Sequence, residues 1–264
     1  MLSSLFADQL HLGFSQAAVA ALMAIAVMWL ARTRGIHLER ETLIALLRGF
    51  VQVVAVGSVI LILLQGPIWM GVPVLLAMIV SATAIGGQRA KGIPGAFRVS
   101  LIAILIGSGT VILIMTSFGV IDWTLTSLIP VGSMLIANAM NTNSLALDRF
   151  RSEIQSHVGQ IEAALALGAD PGAIIQPYAQ AAVRASLIPR VDTLRSLGIV
   201  WIPGIMAGMI LSGTDPVYAA VYQFVVIAMI YASAGLTSVV STLLIRSRIF
   251  SQADQLLLRE EEQS

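Results

Sequence analysis

Cysteine is absent from this 264-residue chain, which excludes disulfides, thiolate metal sites and cysteine nucleophiles. Charge is scarce: Asp, Glu, Lys and Arg make up 11% of residues, against roughly a quarter in an ordinary soluble domain. The only lysine, Lys91, sits in Ala90-Lys91-Gly92, so the sequence contains no Gly-x-x-x-x-Gly-Lys-Ser/Thr phosphate-binding loop. A chain without that loop cannot hydrolyse ATP by that route, and any ATP-driven role requires a second polypeptide. The three histidines, His11, His37 and His157, show no metal-ligand spacing. No clustered carboxylates or Ser/His pair accompany the apolar runs, which argues against an intramembrane enzyme. The first 31 residues hold no Lys or Arg, so the apolar run 19–30 lacks the charged leader of a cleaved signal peptide and reads as a retained span. A net charge of +1 gives no global attraction to nucleic acid.

What is present is apolar surface. The chain is 57% hydrophobic, with a mean hydropathy of +0.89, and belongs in a lipid bilayer. A helix needs about 20 apolar residues to cross the hydrocarbon. That requirement places spans near 13–31, 43–64, 68–86, 98–119, 125–147, 197–212 and 217–245, of which the sixth is the shortest. Uncharged or acidic connections (Gln65-Gly66-Pro67, Val120-Ile121-Asp122, Gly213-Thr214-Asp215) alternate with basic ones (Arg32, Arg34, Arg40; Arg89, Lys91, Arg98; Arg149 to Arg195; Arg246, Arg248). The positive-inside rule then puts the N-terminus outside and the C-terminus in the cytoplasm. All 15 Lys and Arg are expected at or near the cytoplasmic side. The fold class is therefore an all-α polytopic membrane protein of about seven transmembrane helices. Residues 1–252 form a single transmembrane domain, and 253–264 a solvated cytoplasmic tail.

The longest polar interruption, about 148–196, is cytoplasmic, with helical patterning interrupted at Gly159, Pro171 and Pro189. It is too short for an enzyme domain. It suffices for the fifth helix to pass the membrane, turn through a short lateral helix, and return. Within it stands Glu162-Ala163-Ala164-Leu165-Ala166-Leu167-Gly168-Ala169-Asp170. The expected geometry has Glu162 in a helical first turn, where its charge suits the helix dipole, and Gly168 ending the helix. Small alanines would let that helix dock closely into another protein. An alanine-rich surface helix with no partner fits the same composition.

Glu-Ala-Ala followed by Leu-Gly-Ala in the largest cytoplasmic loop resembles the coupling motif of ABC importer permeases, which implies contact with an ATPase. The importers' Ile-x-Leu-Pro, which follows soon after the glycine, has no counterpart here, since Ile188-Pro189 lies farther on. Nearly the whole chain resembles the FetB-type permeases, small iron-export membrane subunits with plant relatives linked to aluminium tolerance. The matching words are Leu47-Arg48-Gly49-Phe50-Val51-Gln52, Ala137-Asn138-Ala139-Met140-Asn141 with Ser144-Leu145-Ala146-Leu147, and the stretch 162–168. They continue with Gly198-Ile199-Val200-Trp201-Ile202-Pro203-Gly204-Ile205-Met206-Ala207-Gly208, then Asp215-Pro216 and Tyr222-Gln223. The resemblance implies a homodimeric permease of the bacterial inner membrane, coupled to two copies of a separate ATPase at Glu162, Ala163, Ala164, Leu167, Gly168 and Asp170. ATP and Mg would belong to that partner, and no cofactor is expected in this chain.

Polar groups inside spans are the next candidates, because each is unfavourable in hydrocarbon unless paired or wet. Asn138, Asn141 and Thr142 share a face of the fifth span, while Asn143 points elsewhere. That stripe fits either a translocation path or a helix-to-helix contact. Arg48 and Gln52 share a face of the second span, where snorkelling to the headgroups and a gate paired with Glu39 or Glu41 both fit. Gln223 is a further pathway candidate. Met206 and Met209, with Met134 and Met140, fit flexible packing or a soft-ion path. Pro203 is a candidate kink, and Gly204-x-x-x-Gly208 a close helix-packing seam, within the chain or between two copies. Asp8, Asp122 and Asp215 face outward as hard oxygen ligands or plain turn residues. No metal site can be named. A secondary transporter or channel, and an ABC permease for a non-metal cargo, remain the competing readings.

Overall fold

In the computed structural model, residues 9–35, 37, 39–90, 95–246, 248–250 and 256–257 are described. Asp8, Lys91 and most of the 253–264 tail lie outside them. The described elements are helices: α1 (Gln9–Thr33), α2 (Glu39–Leu64), α3 (Gly71–Gly86), α4 (Ala96–Ser117), α5 (Leu125–Ser156), α6 (Val158–Ala166), α7 (Pro171–Ser196), α8 (Gly204–Leu211) and α9 (Pro216–Arg246). Among the described residues five stretches are long and apolar enough to cross a membrane: His11–Thr33, Glu39–Ser58, Ile68–Gly86, Ala96–Ser117 and Pro216–Arg246. Their wide apolar exposure, for example at Val53, Leu113 and Val217, is what lipid-facing helices require. The protein is an all-α polytopic membrane protein.

The chain divides into two units, Met1–Gly66 and Pro67–Ser264. In the first, α1 and α2 form a hairpin. Phe14 meets Phe50 edge-on at 6.1 Å between ring centroids, and Arg32 Nε lies 3.5 Å from Glu39 Oε1 across the turn.

In the second unit α5 and α9 are central, packed against α3, α4 and α7. Small residues allow the close approach. A Cβ on Gly107 of α4 would stand 2.8 Å from the Thr237 nitrogen and 2.9 Å from the Ser233 oxygen of α9, so only glycine fits that crossing. Some of the serines and threonines between the helices return their hydroxyls to their own backbone, as Ser108 does to the Ile104 carbonyl and Thr237 to that of Ser233, which satisfies those without water. Two apolar clusters result. One gathers Phe150 and Ile154 of α5, Ile161 of α6, Ile175 and Ala182 of α7 and Ile245 of α9. The other gathers Leu135 and Ile136 of α5 with Ile227 and Ile230 of α9, and takes in Leu194 and Leu197 at the end of α7. Helix α7 therefore runs antiparallel to α9, from the first cluster into the second.

Four expectations need correction. The stretch 197–212 is not one membrane-crossing helix: α8 has eight residues, a rise of ~12 Å against a hydrocarbon core of ~30 Å. Gly198, at φ +76°, and Pro203, extended at ψ 146°, hold 197–203 out of helix, so Pro203 precedes α8 and does not kink it. Gly159 and Pro189 interrupt nothing, since they lie inside α6 and α7. Proline removes one hydrogen bond from α7, but packing of α7 on α5 and α9 carries the helix through. Finally, Arg190 does not sit at a basic end. Ser186 Oγ lies 2.7 Å from Ser238 Oγ, and Ser238 is ~12 Å from Arg246 along α9. Arg190, one turn beyond Ser186, is therefore about 18 Å from the end that Arg246 marks.

Candidate functional site: an exposed capped helix and a cavity at a helix break

The 148–196 region follows the anticipated path in part: its second half, α7, packs along α5 and α9 into the second cluster and is not a loop outside the bundle. Helix α5 continues to Ser156, α6 follows laterally, and α7 returns. Ile161 anchors α6 in the first cluster, leaving Glu162, Ala163 and 166–170 exposed and Ala164 half-buried. Leu167 is 89% exposed, an apolar knob at the tip. Glu162 is not in the first turn, because α6 begins four residues earlier at Val158, so its charge gains little from the helix dipole. Gly168 ends the helix as anticipated. At φ +81°, its N–H donates to the Leu165 carbonyl (2.9 Å) while the Ala169 N–H donates to that of Ala164 (3.1 Å), the pairing of a Schellman cap. Asp170 then caps α7, accepting from the Ala173 N–H at 2.8 Å, with Pro171 at the first helical position. Caps on both sides make this exposed corner stiff.

At the other end of α7 lies a cavity of about 370 Å³. Met134 and Asn138 of α5 form one wall. Arg190, Thr193 and Ser196 of α7 form another. Trp201, Pro203, Gly204 and Ile205 close it from the break, opposite Gln223, Ile227 and Ile230 of α9. The break is itself ordered: Gly198 N–H donates to the Trp201 carbonyl at 3.0 Å, and the Ser196 carbonyl accepts from Ile199, Val200 and Trp201. Gln223, 2% exposed, accepts the Met206 N–H at 3.3 Å and so ties α8 to α9. Arg190 is half-buried, its Nε shielded and without a hydrogen-bond partner. It pairs with no carboxylate among the described residues, and no lining residue is acidic.

Of the pathway candidates, the structure brings Asn138 and Gln223 together at this cavity. The Asn138 Nδ2 donates to the Met134 carbonyl at 2.8 Å. Asn141 is exposed. Asn143, off the anticipated stripe, is the fully buried amide and bridges helices, its Nδ2 donating to Ser100 Oγ at 2.9 Å. Thr142 is buried beside it. Met206 and Met209 are half-buried on α8, outside the cavity lining. Gly204 and Gly208 have nothing within 4 Å of an added Cβ, so within one chain they form no close seam. Arg48 and Gln52 are exposed on α2 of the first unit, and Glu39 pairs with Arg32. Among the described residues no three His, Cys, Asp or Glu side chains are grouped to hold a metal. Arg190 was missed because it stands in a basic, proline-containing stretch that reads as solvated; an arginine followed by the helix-breaking Gly198 and Pro203 was the available signal.

The chain is similar over most of its length to several known proteins. It is 34% identical over 243 residues to UPF0014 membrane protein slr1647 of Synechocystis, covering 88% of this chain and 92% of the relative. It is 29% identical over 246 residues to Protein ALUMINUM SENSITIVE 3 of Arabidopsis thaliana, covering 92% and 90%. It is 28% identical over 244 residues to the probable iron export permease protein FetB of Escherichia coli, covering 92% and 94%. No solved structure matches it. The model of the uncharacterised protein family UPF0014 matches residues 14–250, a stretch that holds both the capped α6 corner and the cavity, and the chain belongs to that family.

Proposed function

We propose that this chain is the permease subunit of an ABC-type transporter that exports a metal, iron by the name of its Escherichia coli relative, using ATP and Mg held by a separate ATPase. The observation that carries the reading is α6 itself: a short helix closed by a Schellman cap at Gly168 and followed at once by the Asp170 cap of α7, exposed along 166–170, at the junction of two long helices. A rigid corner of this kind transmits a push from a docked partner. Helix α7 leads from that corner to the cavity, so a tilt of α7 changes the cavity's shape. The chain rearranges and performs no covalent chemistry. A homodimer of permeases with two ATPases completes the assembly, Gly204 and Gly208 being open to a second copy.

The test is reconstitution of the chain with the ABC ATPase subunits of its host. ATP hydrolysis stimulated by the chain, and abolished by Glu162→Arg or Gly168→Trp in protein that still inserts and elutes normally, is the expected result. Normal ATP-driven transport by those variants would overturn the coupling assignment, and full transport in vesicles lacking any ATPase would make the protein a secondary transporter.

A further inference from the structure

The cavity at the α7–α8 break has an electrostatic sign that bears on the form in which cargo crosses. Its one charged lining residue is Arg190, and among the described residues no carboxylate pairs with it. The guanidinium is half-buried in the cavity lining and pairs with no carboxylate among the described residues, a state that is unfavourable unless an acceptor is supplied. A second feature of like sign faces the same space. Pro203, Gly204 and Ile205, where α8 starts, line the cavity, and a helix start leaves its first amides without acceptors in the helix and carries partial positive charge. Gln223 takes the Met206 amide; the Gly204 and Ile205 amides have no acceptor within α8. Irregular backbone at membrane depth is tolerated where it lines a cavity, and a broken helix with its half-helix start beside a cation is an arrangement that receives anionic oxygen.

We propose that this cavity binds an anionic oxygen group, carboxylate or phosphate, between the Arg190 guanidinium and the first amides of α8. The proposal rests on the transport reading and deepens it: a metal passes here as its negatively charged complex with a carboxylate or phosphate ligand. A bare divalent cation would meet a guanidinium and a helix start with no acidic residue to hold it. Fixed planar donors on Arg190 suit a two-oxygen group. Asn138 and Gln223 supply neutral polar edges, and Trp201 an aromatic wall.

The experiment measures binding to the purified full-length chain in lipid-free nonionic detergent, without ATPase, using ferric citrate, citrate alone, inorganic phosphate and, anaerobically, ferrous ion. The expected result is saturable binding of at least one anionic probe and none of ferrous ion at the same site. Ferric citrate tighter than citrate assigns the anion to a metal complex; citrate or phosphate as tight or tighter assigns it to a free anion, and either supports the site. Arg190→Gln should weaken the bound anion by about tenfold or more, the usual worth of a charge-assisted hydrogen bond, Arg190→Lys should weaken it less, and Arg195→Gln, in an exposed pair with Asp192, should leave it unchanged. Binding of ferrous ion with no binding of any anion by the unaltered protein overturns the proposal whether or not the variants fold, and so does anion binding unaffected in folded Arg190→Gln. Because no ATPase is present, loss of the coupling reading leaves this result standing, and loss of anion binding leaves the Glu162→Arg coupling test standing.

Discussion

Two glycines show how a single residue can be forced by different physics. Gly168 is required by its own backbone: at φ +81° with nothing near its Cβ direction, a substitution to alanine should be unfavourable by about 1–2 kcal/mol, the usual penalty of the left-handed region. Gly107 is required by a neighbour, since its Cβ would enter the backbone of α9 near Thr237 and Ser233. Gly107→Ala should lower the thermal midpoint of the detergent-solubilised protein, by the equivalent of about 1–3 kcal/mol as overpacking does, and Gly109→Ala, with open space around it, should not. The first glycine was readable from the sequence as a helix stop. The second was not, because its partner lies 130 positions away. Asp170, read from the sequence only as a coupling residue, proves to cap α7: the bond from Ala173 makes Asp170→Ala lose ~1 kcal/mol, visible as faster amide exchange over the first turn of α7.

At the scale of elements, hydropathy found helices wherever the bilayer is their solvent and lost its power where the chain shields itself. Helix α5, read from the sequence as the span 125–147, carries Asn138, Asn141, Thr142 and Asn143, and is not among the five described stretches that qualify by length and composition alone. It is shielded by α3, α4, α7 and α9, and its deepest amide reaches Ser100. The α7–α8 break is the converse case: an apolar run long enough to suggest a span that contains only eight helical residues. Pro203 is the residue that withholds helix there. Pro203→Ala should let α8 extend toward Trp201 and fill part of the cavity, so transport should fall several-fold while ATPase docking at α6 persists. Unchanged transport would show that the break has no part in conduction.

For the whole molecule, the proposed orientation follows from charge alone, and the cysteine-free chain makes it directly testable. In intact cells, a single cysteine at Thr214 should react with a membrane-impermeant maleimide from outside, and one at Ala169 only after permeabilisation; the reverse pattern would invert the topology and put the α6 corner out of reach of a cytoplasmic ATPase. The sequence by itself determined that the protein lives in a bilayer, is helical, and ends a helix at Gly168 within its longest polar stretch. These depend on local composition and backbone preference, which need no tertiary partner to act. Only the tertiary structure decided which polar side chains meet. Arg190, Asn138 and Gln223 stand on three different helices, and the antiparallel packing of α7 on α9, with the start of α8 turned inward by Pro203, brings them to one cavity because close helix packing specifies neighbours that sequence separation conceals.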